Sequence, residues 1–90
     1  MATYHVSTDR GEDILGGSAI TLEVSSDAPR AAAVRSLLLG TQCGYMQGHC
    51  GYNYNLQAAD IGDVEITGDR FIAHVKVAGA PRIIHGSFRQ

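Results

Sequence analysis

Apolar and polar side chains alternate almost from the first residue. In Thr3 to Ser7, Tyr4 and Val6 interleave with His5 and Ser7, the period of two expected of a half-buried strand. Charges and glycine interrupt the pattern over Asp9 to Gly17, which reads as a surface turn. From Ser18 the alternation returns more strongly: Ile20, Leu22 and Val24 take one side and Thr21 and Glu23 the other, so Ser18 to Val24 is the clearest strand in the chain.

A helix is predicted to follow directly, over Asp27 to Leu39. Ser26 and Asp27 can accept hydrogen bonds from the free amides of a first helical turn, and Pro29 suits that turn because its missing N–H has no partner there. A rotation of about 100° per residue gathers Ala31, Val34, Leu37 and Leu38 into an apolar stripe with Ala33 at its margin. Arg30 falls on the stripe but in the first turn, where it can leave toward solvent; Leu39 points away, and Gly40 supplies a left-handed stop.

The stretch Thr41 to Gly62 is too long for a structureless connection inside a compact domain. Tyr52, Tyr54 and Leu56 alternate with Asn53, Asn55 and Gln57, which predicts another strand and leaves Gly44 to Gly51 as a glycine-rich loop. Val64 to Thr67, Gly68-Asp69 and Arg70 to Val77 form a hairpin signal, with Phe71, Ala73, Val75 and Val77 on one face and Ile72, His74 and Lys76 on the other. After a turn over Ala78 to Pro81, the last strand, Arg82 to Phe88, sets Ile84, Gly86 and Phe88 against Ile83, His85 and Ser87. The predicted order is β-β-α-β-β-β-β, an α+β fold in which one helix packs on one face of an antiparallel sheet of five to six strands. So short a helix leaves the other face to water, to a second protein or to a second copy of the chain.

Ninety residues support a single domain, residues 1–90, since a second core would be too small to offset the entropy lost on folding. At 44% hydrophobic and 18% charged, the composition allows a core and argues against disorder. The net charge of −2 gives no general attraction to nucleic acid or anionic lipid. Charge is uneven, however: Asp9, Glu12, Asp13, Glu23 and Asp27 face Arg10 alone in the first 29 residues, whereas Arg70, Lys76, Arg82 and Arg89 meet no acid after residue 69. No apolar run approaches the roughly 20 residues of a membrane span, and Met1 to Arg10 lacks the form of a secretory signal. The expectation is a cytoplasmic chain, not bound to membrane, with reduced cysteines.

Cys43, His49 and Cys50 combine the thiol and imidazole chemistry used in nucleophilic catalysis and zinc binding. Six residues separate the cysteines, where structural zinc sites use two to four, and a second pair is missing. Two free thiols are therefore the expectation, with a disulfide, a metal site or a small cysteine-dependent enzyme or redox protein as alternatives; no cofactor is implied. Phosphate-cradling, His-Glu-x-x-His, Gly-x-Ser-x-Gly and calcium-loop motifs are missing from the sequence, and the carboxylate pair Glu12-Asp13 has no recognisable pocket around it.

Contact surfaces remain. His5, His74 and His85 fall on the outward register of their strands, and Ile72, Ile83 and Lys76 share it, a mixture suited to a partner surface. Tyr45, Met46, Tyr52 and Tyr54 gather around the cysteine loop, where tyrosines bring large contact area at little entropic cost, although a place in the core or at its rim is the first expectation for them. Direct nucleic-acid binding is not expected, because no Lys or Arg lies between Arg35 and Arg70.

In length and layout, with the strand Ala19-Ile20-Thr21-Leu22-Glu23-Val24, the segment Ser25-Ser26-Asp27, the alanine-rich helix Ala31 to Leu39 and the following hairpin, the chain resembles the small phage-encoded α+β inhibitors of the anti-CRISPR group. These share no sequence motif, so no residue role carries over. The resemblance implies a non-enzymatic mode, blocking a surface of a nuclease or nucleoprotein complex with acids placed where nucleic acid would bind. Asp60, Asp63, Glu65 and Asp69, with Tyr52 and Tyr54 beside them, are the corresponding candidates. A protein-binding module is thus the leading expectation, and a structural subunit that dimerises through its open sheet is a further alternative.

Overall fold

The computed structural model describes residues 2–12, 14 and 17–90. Asp13 of the Glu12-Asp13 pair, and Leu15 and Gly16 of the Asp9 to Gly17 turn, lie outside the described residues. The elements are β1 (Thr3–Thr8), β2 (Thr21–Ser25), α1 (Arg30–Leu38), β3 (Gln42–Gln47), β4 (Cys50–Asn55), a single 3-10 turn (Ala58–Asp60), β5 (Ile61–Thr67), β6 (Arg70–Val77) and β7 (Ala80–Arg89). Five strands form one antiparallel sheet in the order β2-β1-β7-β6-β5, and β3 and β4 form a separate two-stranded sheet. This is the predicted α+β order.

The alternation in the sequence decides which face of the sheet is covered. Tyr4 and Val6 of β1, Phe71, Ala73, Val75 and Val77 of β6, and Ile84 and Phe88 of β7 are all buried on the inner side. The helix contributes Ala33, Val34, Leu37 and Leu38 to the same core. It touches β1 and β2 on one side and β5 on the other, so the sheet curls around it.

The helix is shorter than predicted and starts at Arg30 rather than Asp27. Pro29 is its extended N-cap residue and makes no side-chain capping bond. The proline ring disfavours helical geometry at Ala28, and Ser25 takes the local amides instead: its carbonyl accepts from Ala28 N (2.9 Å) and its hydroxyl from Asp27 N (3.3 Å). A missing cap costs about 1 kcal/mol, whereas each of the buried Val34, Leu37 and Leu38 side chains contributes about 1.5–3 kcal/mol, so packing holds the helix without it. Ala31, predicted on the apolar stripe, is exposed, and the marginal Ala33 is buried. The stop at Gly40, φ +78°, is as predicted.

Strand β2 begins at Thr21 rather than Ser18 because the Ile20 amide donates to the Thr8 hydroxyl (3.0 Å), which ends the main-chain ladder. Strand β5 starts earlier than predicted, at Ile61, with a bulge between Ile61 and Val64. The larger correction concerns Gly44 to Gly51, which is not a loop. It is most of a hairpin, turning at Gly48 (φ +64°) and His49 and pairing Gln42 with Asn55 through Gln47 with Cys50. Cys43 and Leu56 enter the main core, and Tyr45 and Tyr54 pack against it. The hairpin therefore covers the inner face where the nine-residue helix runs out.

Gly86 decides how the centre of the sheet closes. It sits opposite Phe71 in the β6–β7 register, and a methyl group there would land inside both the Phe71 ring and the Ser7 carbonyl oxygen. The absence of a Cβ lets the ring lie across β7, where it meets Phe88 at 5.6 Å between centroids; Phe88 in turn meets the edge of Tyr4 at 6.2 Å. Replacing Gly86→Ala is expected to cost about 2–3 kcal/mol or more in urea unfolding, while Gly44→Ala, which has open space and no positive φ, should stay within about 0.5 kcal/mol.

Candidate functional site

The outer face of the sheet carries the three histidines in the predicted register, each beside a glutamate from a neighbouring element. His5 Nε2 lies 3.1 Å from Glu23 on β2, His74 bonds Glu65 on β5, and His85 Nδ1 lies 2.9 Å from Glu12 in the β1–β2 connection. Glu12 also accepts the main-chain amide of His85 (2.7 Å), at the point where β7 runs past the end of β1. Asp9 and Arg70 pair through two hydrogen bonds nearby, which raises the guanidinium pKa further and ties the same connection to β6. The histidines do not converge: among the described residues no group of three or more His, Cys, Asp or Glu side chains could hold a metal. Pairs as exposed as these contribute between nothing and about 1 kcal/mol each.

The predicted contact residues divide into two sets. Asp60, Asp63, His74, Lys76 and Ile83 line one shallow hollow between β5, β6 and β7, and Glu65 joins it through His74. Tyr54 joins from the hairpin, donating its hydroxyl to Asp60 at 2.6 Å. Asp69 stands apart in the β5–β6 turn, 3.9 Å from Arg30, and His85 is held at Glu12. The four acids thus form no single patch. Arg30, expected to leave toward solvent, lies over the Phe88 ring at 4.8 Å and donates to the Gly68 carbonyl at 2.8 Å.

Beside that hollow, Tyr45, Met46 and Tyr52, which the sequence groups around the cysteine loop, meet a cation that it did not place with them. On the hairpin, Tyr45 and Tyr52 stand opposite each other and stack, with centroids 5.5 Å apart. Met46 is 69% exposed and Tyr52 46%. Arg82 of β7 lies with Tyr45, Met46 and Tyr52 around a second hollow, and it also lines the first, next to the 48%-exposed Ile83. Arg82 supplies the cation that is missing from the sequence around the tyrosines. One signal could have found it, an arginine on the inward register shared by Ile84, Gly86 and Phe88.

Neither cysteine is in a disulfide; Cys43 is buried and Cys50 exposed. Cys50 pairs with Gln47, four residues along the hairpin from Cys43. That is about 13 Å at the usual strand rise, too far for a disulfide.

The pair Tyr54–Asp60 has a defined pH window. The Tyr54 hydroxyl and the Gln57 amide (2.9 Å) hold the Asp60 carboxyl below its ordinary range, and the same hydrogen bond raises the Tyr54 phenol above its own. A depressed carboxylate stabilises the fold above its unfolded pKa near 4 and loses that contribution as pH falls through the folded value; a raised phenol loses its share as pH climbs past about 10. The stability difference between the protein and Tyr54→Phe is therefore expected to be flat between those limits and to shrink below pH 4, measured by urea unfolding across pH. Alkylation of native protein at pH 8 should label the exposed Cys50 and spare the buried Cys43 until the chain unfolds; a Cys50 rate as fast at pH 6 as at pH 8 would support the cysteine-enzyme alternative.

No helix among the described residues is long and apolar enough to cross a membrane. Neither protein-family models nor curated proteins nor solved structures match the chain, so no residue role is carried over from a relative.

Proposed function

We propose that the protein is a non-catalytic protein-binding module whose contact surface runs from the hairpin tyrosines across Arg82 to Ile83. One observation carries this reading: Met46, Tyr52 and Ile83, three of the large exposed apolar side chains, border two hollows that share Arg82. Aromatic residues, methionine and arginine are the types enriched at protein interfaces. The Tyr45–Tyr52 stack holds two of the rings in place before contact, which reduces the entropy lost on binding. Lys76, His74 and Asp63 form a polar margin of mixed sign around Ile83, the arrangement of a desolvated centre with a wet rim. Inhibition of a CRISPR-Cas nuclease complex is the narrower form of this reading. It rests on the layout resemblance, and cleavage of target DNA by such a complex with and without excess protein decides it.

Wild-type protein used as bait is expected to retain one partner at equimolar ratio, and Met46→Ser/Tyr52→Ser should weaken retention by about tenfold or more. Leu39→Ser, which removes another exposed apolar side chain at the end of α1, should change nothing. Equal retention by the hairpin double variant would remove this surface from consideration.

A further inference from the structure

The five-stranded sheet has two outer edges and one partly uncovered inner stretch, and they are treated differently. Along β5, Arg35 donates to the carbonyls of Ile61 (2.8 Å) and Gly62 (2.6 Å), and Arg30 to that of Gly68, so α1 lies against that edge and occupies acceptors at both its ends. Where β7 extends beyond β1, Glu12 and the Asp9 amide take the N–H and C=O of His85, and Pro81 has no N–H to offer. These are the devices by which edge strands are blunted.

Among the described residues, strand β2 has no such protection. The bonds Thr8 N to Ile20 O and Ser26 N to Ala2 O show that even-numbered residues of β2 face β1. Thr21, Glu23 and Ser25 therefore direct their main-chain groups outward. Among the described residues, a main-chain partner is found for the Ser25 carbonyl, in Ala28 N, and for none of the other five N–H and C=O groups of Thr21, Glu23 and Ser25. Ile20, Leu22 and Val24 border the core on the inner side and remain half-buried, so the core itself is uncovered at this margin. On the outer side, the Glu23 carboxylate, which is exposed and pairs with His5 on its β1 flank, lies at the middle of the open stretch.

We propose that the β2 edge binds an extended segment of another protein by strand addition, with an apolar–basic–apolar pattern. The basic residue would stand opposite Glu23 on the outer side, and its two neighbours would cover Leu22 and Val24 on the inner side. Main-chain bonds supply affinity in this mode and alternate side chains supply selectivity. A second copy of this chain fits less well: pairing about Glu23, the register that uses all three outward residues, sets Glu23 against its own counterpart, and like charges directly opposed are destabilising. The inference uses none of the hairpin residues and stands independently of the contact surface proposed above.

The test is a titration of isotopically labelled protein, followed by amide resonances, with two blocked peptides, Thr-Val-Lys-Val-Thr and Thr-Val-Glu-Val-Thr. Shifts are expected to centre on Thr21, Glu23 and Ser25, with the lysine peptide binding about three- to fivefold more tightly than the glutamate peptide. Glu23→Lys should invert that order. Thr21→Pro removes an outward N–H that no strand among the described residues uses, and should weaken the lysine peptide while the other resonances stay in place. Failure of either peptide to saturate, equal binding of both, or shifts centred on Gly51 and Asn53 of the hairpin edge would overturn the proposal. So would concentration-dependent shifts of the β2 amides without peptide, since these would make a second copy the occupant.

Discussion

The Phe71 ring lies across Gly86 on the neighbouring strand, and the Ser7 carbonyl closes on the same point from β1's side, so three strands meet where no side chain fits. The aromatic sequence Phe71, Phe88, Tyr4 depends on that approach, and Arg30 lies over its middle ring, Phe88. Tyr4 then donates its hydroxyl to the Ala28 carbonyl at 2.7 Å, immediately before the helix begins. The path from the centre of the sheet to the start of α1 is thus a chain of ring contacts and one hydrogen bond, in which each member's position follows from the last.

Covering the inner face of a curled five-stranded sheet is the problem that shapes everything else. A helix of nine residues is about 13 Å long at 1.5 Å per residue, less than the eight residues of β6 span at 3.3 Å each. The hairpin β3–β4 makes up the difference by burying Cys43 and leading Leu56 into the core. Its inner side is structural and its tip is left exposed. The same element thereby closes the core and presents Tyr52 and Met46, so scaffold and contact surface are not separable in this protein.

The outer face shows a different solution. It is left uncovered by α1 and the hairpin, and its polar register is satisfied by pairs across strands: His5 with Glu23, His74 with Glu65, Arg70 with Asp9 and His85 with Glu12. The bipolar charge of the sequence is largely explained by this. Asp9 and Glu12 are brought from the first connection to Arg70 and His85 near the other end of the chain, which leaves less net field on the surface than the linear order suggests.

The period-two runs of Tyr4 to Val6, Phe71 to Val77 and Ile84 to Phe88 determined by themselves which side chains are buried, because alternation around a pleated strand leaves no other facing once one side is apolar. Gly68-Asp69 and Gly40 likewise marked their turns through conformations that disfavour other residues. Of the hairpin β3–β4 only the second strand was legible, from Tyr52, Tyr54 and Leu56; the first was not, because Cys43 and Tyr45, opposite Tyr54 and Tyr52, alternate with Gly44 and Met46 and form no branched apolar run, and the pair holds its shape through the core beneath it. The helix start was misread because Ser26 and Asp27 promise a cap that Pro29 prevents through Ala28. Asp60, His74, Lys76 and Ile83 could be named singly, but their meeting in one hollow, and the arrival of Arg82 beside Tyr45 and Tyr52, follow from the β5–β6–β7 register and from where the hairpin rests. Local pattern specifies facing; only contacts between residues far apart in the chain specify neighbours.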